Sequence, residues 1–330
     1  MEFPIDVPQY PRAVAHLTQF YGLPVLTFPQ ASSPVPLPDD PASVAWRMES
    51  NLYAGNEALK DYWDRFTGAV PLEEVRALIF GATWYDEDGV PDEVIDMLVE
   101  LSPRLTALEA LFLGDVHFEE CEISWMGQSD LAPLLEAYPR LRELGVRGGK
   151  DLGFPVLRHE GLRTLRFETG GLPARVTRNV AASDLPSLEY LELWLGDEYY
   201  GCDTTMEDLR PLLTGERLPS LRHLGLQNSQ FQDEIAAAVA HAPVVPRLAS
   251  LRLSMGLLDD EGAAALLNGQ PLTHLRFLDL HHHYLSDAMM LRVWDALEPA
   301  GVRVDLTAQE EGDYLDEDRE ESIRYIAVAE

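Results

Sequence analysis

Asp279, His281 and His283 stand at i, i+2 and i+4 within Leu278-Asp279-Leu280-His281-His282-His283. On an extended strand those three side chains share one face. Imidazole nitrogens with a carboxylate oxygen are the donor set of a zinc site, so a metal-binding or hydrolytic protein centred on His281–His283 is one reading of the chain. The competing reading is a polar loop over a strand end, favoured by arginines expected on both sides of Asp279, whose charge opposes a cation. Cys121 is a second candidate for chemistry, as a thiolate nucleophile. Its neighbours Glu119, Glu120 and Glu122 raise the thiol pKa and suppress the thiolate. The chain carries no Gly-rich phosphate loop, no His-and-carboxylate metal helix and no nucleophile elbow. The expectation is therefore no catalytic residue, no cofactor and no enzymatic activity.

Residues suited to recognition are more numerous. The stretch His117-Phe118-Glu119-Glu120-Cys121-Glu122-Ile123-Ser124-Trp125 mixes aromatics with acids, and Tyr199-Tyr200 forms a second aromatic pair. Loops raised on a rigid scaffold often carry binding. The alternative is that Phe118, Ile123 and Trp125 pack back as a local cap.

The elements that must position these residues follow from a leucine ladder. The frame L-x-x-L-x-L recurs as Leu108/Leu111/Leu113, Leu141/Leu144/Val146, Leu162/Leu165/Phe167, Leu188/Leu191/Leu193, Leu221/Leu224/Leu226, Leu248/Leu251/Leu253 and Leu275/Leu278/Leu280, preceded by Val75/Leu78/Phe80.

 Position 146 is a valine, so the third place of the frame accepts any apolar residue. Successive middle positions lie 33, 33, 21, 26, 33, 27 and 27 residues apart. A period of that size means a solenoid, in which each unit buries its apolar edge only against its neighbours. Each unit reads as a short strand followed by a helix, with helices expected over 57–67, 91–101, 130–138, 174–182, 206–213, 233–241, 261–267 and 287–297. Start signals such as Ser129-Asp130 and Ser286-Asp287, and stops such as Leu185-Pro186 and Leu218-Pro219, bound several of them. The short step from Leu144 to Leu165 leaves no room for a full helix, so 148–155 is expected to cross as a turn or 3₁₀ segment. The long steps carry insertions at 115–128 and 196–205, which leave equivalent strand ends and should stand up on one rim.

Three regions result: 1–70, a capping region rich in proline with a degenerate first repeat; 71–306, the solenoid; and 307–330, an acidic tail expected to be solvated or loosely docked. The fold class is α/β, a right-handed arc with a parallel β-sheet on its concave face and helices on its convex face. Edge strands are expected over 21–28 and 44–48, and a closing strand over 302–306.

Composition narrows the partners. The chain has 330 residues, 56 acids against 25 bases and a formal charge of −31. That field repels phosphate backbones and anionic lipid, so neither nucleic acid nor a membrane surface is expected. It attracts a basic protein; equally, surplus acid can serve only to keep a long chain in solution. Cys121 and Cys202 fall in loops about 14 Å apart at strand spacing, too far to pair, and suit a reducing compartment. No signal-peptide pattern and no long apolar run occurs. A cytoplasmic location is expected.

The ladder resembles the leucine-rich repeat superfamily, and Leu257-Leu258-Asp259-Asp260-Glu261-Gly262-Ala263-Ala264-Ala265-Leu266 resembles its ribonuclease-inhibitor-like branch. The segments 119–125, 165–173 and 278–283 look like an uncharacterised bacterial cytoplasmic leucine-rich repeat family. The superfamily likeness covers about residues 70–306, the closer one nearly the whole chain, and it implies a fold without implying an activity. The position often Asn or Cys in such repeats is here Val116, Gly149, Gly170, Gly196, Ser229, Gly256 and His283. No side-chain ladder can therefore satisfy the turning backbone.

Alternation along the strands places two columns on the concave side. One reads Ile79, Phe112, Gly145, Arg166, Glu192, Gly225, Arg252, Asp279 and Arg303. The next reads Gly81, Gly114, Arg147, Glu168, Trp194, Gln227, Ser254, His281 and Asp305. Arg166 then pairs with Glu192, Arg147 with Glu168, and Asp279 lies between Arg252 and Arg303. Trp194, in the middle of that face, has the make-up of an interface anchor unless a rim loop covers it. The leading expectation is a non-catalytic protein–protein interaction scaffold. Its partner would be held by Trp194, Arg166, Glu192, Arg147, Glu168, Gln227, Arg252 and Phe112, with rim residues His117, Phe118, Trp125, Tyr199 and Tyr200. A self-associating structural subunit is a further alternative, and the oligomeric state is left open.

Overall fold

The computed structural model describes residues 14–49, 58–82, 91–312 and 323–329. Residues 1–13 and most of the acidic run at 310–321 lie outside the described residues. The chain is a mixed α/β structure built on one sheet of twelve strands, whose spatial order is their order in sequence. The strands are β1 Gln19–Phe20, β2 Leu23–Thr27, β3 Ala45–Met48, β4 Ala77–Gly81, β5 Ala110–Asp115, β6 Glu143–Arg147, β7 Thr164–Glu168, β8 Tyr190–Gly196, β9 His223–Ser229, β10 Ser250–Arg252, β11 Phe277–Asp279 and β12 Arg303–Asp305. β1 and β2 are antiparallel, and every later neighbour is parallel.

The pairing register explains the leucine spacing. One residue per strand from β2 to β12 falls in a single row: Leu26, Trp46, Leu78, Leu111, Leu144, Leu165, Leu191, Leu224, Leu251, Leu278 and Val304. Apart from the half-buried Leu26, the whole row is buried in the main core. A parallel strand needs cover on both faces, and on this face helices supply it. These are α1 Leu59–Ala69, α2 Pro91–Leu101, α3 Ala132–Ala137, α4 Ala174–Ala182, α5 Met206–Thr214, α6 Gln232–Val239, α7 Asp260–Leu267 and α8 Asp287–Leu297. They follow the expected helical segments to within two residues at nearly every boundary. Their buried residues, such as Val94 and Leu98, Val176 and Val180, or Leu209 and Leu212, join the same core as the strand row. No helix interrupts 148–155, in keeping with the short step there. Among the described residues, no helix is long and apolar enough to cross a membrane.

Helix starts use local chemistry. Thr205 and Asp208 form a reciprocal capping box on α5, Asp259 caps α7 through the Glu261 amide, and Ser286 caps α8 through the Met289 amide. At the strand ends, backbone groups complete the turns that lack a side-chain ladder. Leu172 donates to the Leu195 carbonyl at 2.7 Å, Asn228 to Ser254 at 2.9 Å, and Met255 to His281 at 2.8 Å.

The opposite face of the sheet carries charge, yet it is buried. Arg147, Arg166 and Glu168 have no exposed surface, and Glu192, Arg252 and Asp279 have at most 3%. They form a chain of alternating sign. Arg47 Nε donates to Asp115 Oδ2 at 2.8 Å, Arg147 Nε donates to Glu168 Oε2 at 2.8 Å, and Arg147 lies 3.8 Å from Asp115. Arg166 contacts Glu168 and reaches Glu192 at 3.8 Å. Tyr190 donates its hydroxyl to Glu192, and Trp194 donates its indole N–H to the other oxygen at 3.1 Å. Burial works to raise the Asp115 carboxyl, but His16, Arg47, Arg147 and the Leu17 amide outweigh it and hold it below the usual range. Gly145 makes room in this face: a Cβ there would strike the Phe112 ring, against which Arg147 and Arg166 stack at 5.4 and 5.8 Å.

Two expectations change here. The concave-face residues were read as exposed, and the structure buries them. Trp194, Phe112, Arg166 and Arg147 are fully enclosed, and Gln227 is 2% exposed. Part of the cover is β1 and the segment before it, whose Leu17 and Phe20 pack on Ile79 and Phe112, and whose Ala15 carbonyl accepts from Arg147. Second, Arg303 does not flank Asp279. It pairs with Phe277, and Asp279 stands level with Asp305, because Val304 rather than Val302 joins the apolar row. The end of the chain, expected to be solvated or loosely docked, is docked over its described residues. Asn228 Oδ1 accepts from the Val328 amide at 3.0 Å, its Nδ2 donates to the Val328 carbonyl, and the Ala327 amide donates to Met255 at 2.9 Å.

Two outcomes follow for stability. Glu168→Gln leaves Arg147 and Arg166 buried without their shared anion and should cost about 3 kcal/mol by urea denaturation. Trp194→Ala should cost about 3–5 kcal/mol. His223 supplies a pH dependence: burial first, then Arg252 and Arg222, hold its imidazole down to about 4. The folded state therefore resists a proton that the unfolded chain takes up near 6.5. Its contribution is complete above that value and is lost as pH falls from 6.5 through about 4. His223→Gln should flatten the difference in unfolding free energy between pH 7 and pH 4.5 by ~2 kcal/mol, allowing for partial exposure.

Candidate functional site

The three histidines do not converge. Both ring nitrogens of His283 meet backbone, Nε2 at 3.2 Å from the Leu306 carbonyl and Nδ1 accepting from the Leu285 amide at 3.1 Å. His282 Nε2 lies 3.1 Å from the Tyr325 carbonyl, and His281 Nδ1 lies 2.7 Å from Asp279 Oδ1. Each ring is thus directed to a different neighbour: His283 to the backbone of residues 285 and 306, His282 to the docked tail, and His281 to its own strand. No disulfide joins Cys121 to Cys202. Burial pushes Cys202 up to about 11, which suppresses its thiolate at neutral pH.

Exposed recognition residues gather on the rim at the C-terminal ends of the central strands. A cleft of ≈ 520 Å³ lies there, within the range of ligand sites. Trp125 and Ser124 from the insertion after β5 line it, as do Tyr199, Tyr200 and Gly201 from the loop after β8. Gly149, Lys150 and Asp151 from the crossing after β6, with Gly171 and Pro173 after β7, complete it. Trp125 is 55% exposed and Tyr199 85%, far beyond what a packing role leaves open. Lys150 is one of only two lysines in the chain, the other being Lys60.

Each wall is held from below. In the first insertion, Ile123 and Met126 are buried, while Gln128 accepts a partner on each side: its amide donates to the Lys150 carbonyl at 2.8 Å and its side chain to the Arg147 carbonyl at 2.6 Å. In the second, Asp197 accepts from the Tyr199 amide at 2.7 Å, and Cys202 donates back to the Asp197 carbonyl at 3.0 Å. Gln230 braces the same aspartate from the next unit. Gly201 turns this loop at φ 100°, a conformation other residues adopt with strain. The floor is a stack of close backbones: a Cβ on Gly149 would meet the Gly171 carbonyl, and one on Gly171 would meet the Tyr200 carbonyl.

The rim residues named from the sequence thus divide. Trp125, Tyr199 and Tyr200 line one cleft, while His117 and Phe118 sit apart, against the segment before β1, where the Phe118 amide donates to the Val14 carbonyl at 3.2 Å. Lys150 and the glycine floor were missed. Their signal was the short step between Leu144 and Leu165, which places the crossing at 148–155 level with the two insertions.

No family model matches the chain, and no curated protein matches it. Among solved structures, it is similar to a Bacteroides fragilis protein whose crystal structure was determined by the Northeast Structural Genomics Consortium. The two are 30% identical and superpose with a TM-score of 0.74, the match covering 82% of this chain and 76% of that one. At that identity and coverage, the chain belongs to the same family as the Bacteroides fragilis protein.

Proposed function

We propose that this chain is a non-catalytic, leucine-rich repeat scaffold that holds a basic segment of a protein partner in the rim cleft between Trp125 and Tyr199. The repeat reading rests on the ladder frame and on the single in-register apolar row, one residue per strand. The observation that carries the binding reading is the pair of exposed aromatics raised on opposite walls of one cleft by two separate, braced loops. Tryptophan and tyrosine faces attract guanidinium and ammonium groups at about 0.5–2 kcal/mol each, and aromatics dominate interface anchors.

Charge favours the same class of partner. A chain of −31 draws a basic segment from solution, and Asp151, Asp197 and Glu198 stand at the cleft or behind its second wall. Lys150 is the exception and would meet a carboxylate on the partner. The same field disfavours nucleic acid and anionic membrane. The sheet face, by contrast, is committed to its own buried charges and offers no open surface for Trp194 or Arg166 to grip. Two free thiols fit a reducing, cytoplasmic setting.

Panning a random peptide display library against the full chain at 50 and 300 mM salt tests the reading. Basic, arginine-rich peptides should be enriched, with binding weaker at the higher salt. Trp125→Ala or Tyr199→Ala should each weaken the selected peptides about tenfold while changing the melting temperature little, since both side chains are exposed. Enrichment of acidic peptides, or affinity indifferent to both substitutions, would overturn it.

A further inference from the structure

Away from the cleft, three segments distant in sequence bring metal-ligating atoms together. His16 lies in the segment before β1, Glu49 follows β3, and Glu120 belongs to the insertion after β5. One ligand atom from each lies within 4.8 Å of the other two. The geometry points to a site for a divalent transition-metal ion, Zn²⁺ or Mn²⁺, held by His16, Glu49 and Glu120.

Zinc–ligand bonds of about 2.1 Å put neighbouring donor atoms roughly 3.4 Å apart. His16 Nε2 and Glu120 Oε2 already stand 3.1 Å apart, and a ligand atom of Glu49 lies within 4.8 Å of both residues. The imidazole is also oriented from behind. Its Nδ1 faces Asp115 Oδ2 at 3.6 Å, while its Nε2 faces Glu120. A carboxylate behind the far ring nitrogen is the arrangement by which metal-bound histidines are fixed in tautomer and direction.

Glu49 and Glu120 are placed with similar care. The Glu49 carbonyl accepts from Gln30, and its side chain passes over Gly81, where a Cβ would come within 3.2 Å of it. Glu120 accepts from the His117 amide at 2.9 Å, which ties it to its own loop.

One cation is already near. Arg47 Nε comes to 4.0 Å from Glu49, but it donates to Asp115 at 2.8 Å and its other arm donates to the Leu17 carbonyl. With Asp115 already paired to Arg47 and Arg147, Glu49 and Glu120 carry the two negative charges that one divalent ion would balance. One imidazole with two carboxylates and no thiolate selects zinc or manganese over the softer metals. Three protein donors leave a further coordination position for water.

Isothermal titration of the full chain, made without a histidine tag, with ZnCl₂ and separately with MnCl₂ at pH 7.4 tests the site. One equivalent of one of these metals should bind saturably and raise the melting temperature, because the ion would tie three segments together. Glu49→Gln and Glu120→Gln should each weaken that binding at least tenfold and remove the thermal shift, with the metal-free melting temperature nearly unchanged. His241→Asn, which alters an exposed histidine elsewhere, should leave both intact. Absence of saturable binding by either metal, or binding that survives both glutamine substitutions, would overturn the assignment.

Discussion

Parallel strands five ångströms apart can share a core only if each presents its apolar side chain at the same height as its neighbour. A slip of one residue would turn that side chain to the other face. The row from Leu26 to Val304 meets this condition eleven times without a break. Everything else in the molecule is placed by it. The helices lie where they do because the row needs cover. The insertions rise on one rim because the register fixes where each strand ends.

The same register determines the opposite face. Residues next to the row along each strand also fall level with one another, so arginine and glutamate on successive strands become neighbours whether or not they are exposed. From Arg47 to Glu192 the signs alternate through Asp115, Arg147, Glu168 and Arg166, and each ion has an opposite charge beside it. Buried pairs of this kind add little net stability compared with apolar packing, but removing one member is costly. Their effect is to make the face intolerant of single changes and unavailable to a partner.

Much of this architecture was legible in the chain. Leucine spacing located the strands, and proline and capping signals located the helices, because both depend on contacts within one unit or between adjacent ones. The errors fell where contacts are remote. Val302 and Val304 lie on the same side of their strand, so alternation alone could not say which joined the row, and Arg303 was misplaced by two residues. Charged columns read as open because a sequence does not disclose that residues 14–20 lie against the sheet. The cleft and the cluster of His16, Glu49 and Glu120 were invisible for the same reason: their members come from loops with no periodicity of their own. Trp125 and Tyr199 were recognisable by type, and their meeting in one place was not.

Stacked units that touch only their neighbours can come apart one at a time from an end. The docked chain end alters that. Asn228 on β9 forms a two-way amide pair with Val328, Ala327 bonds to Met255 beyond β10, and Tyr284 beyond β11 exchanges hydrogen bonds with Tyr325. A single short strand of backbone thus stitches together the loops of three successive units. The loops after β9, β10 and β11 cannot separate from one another while that seam holds. Anything that lifts residues 324–329 from the rim would loosen all three at once.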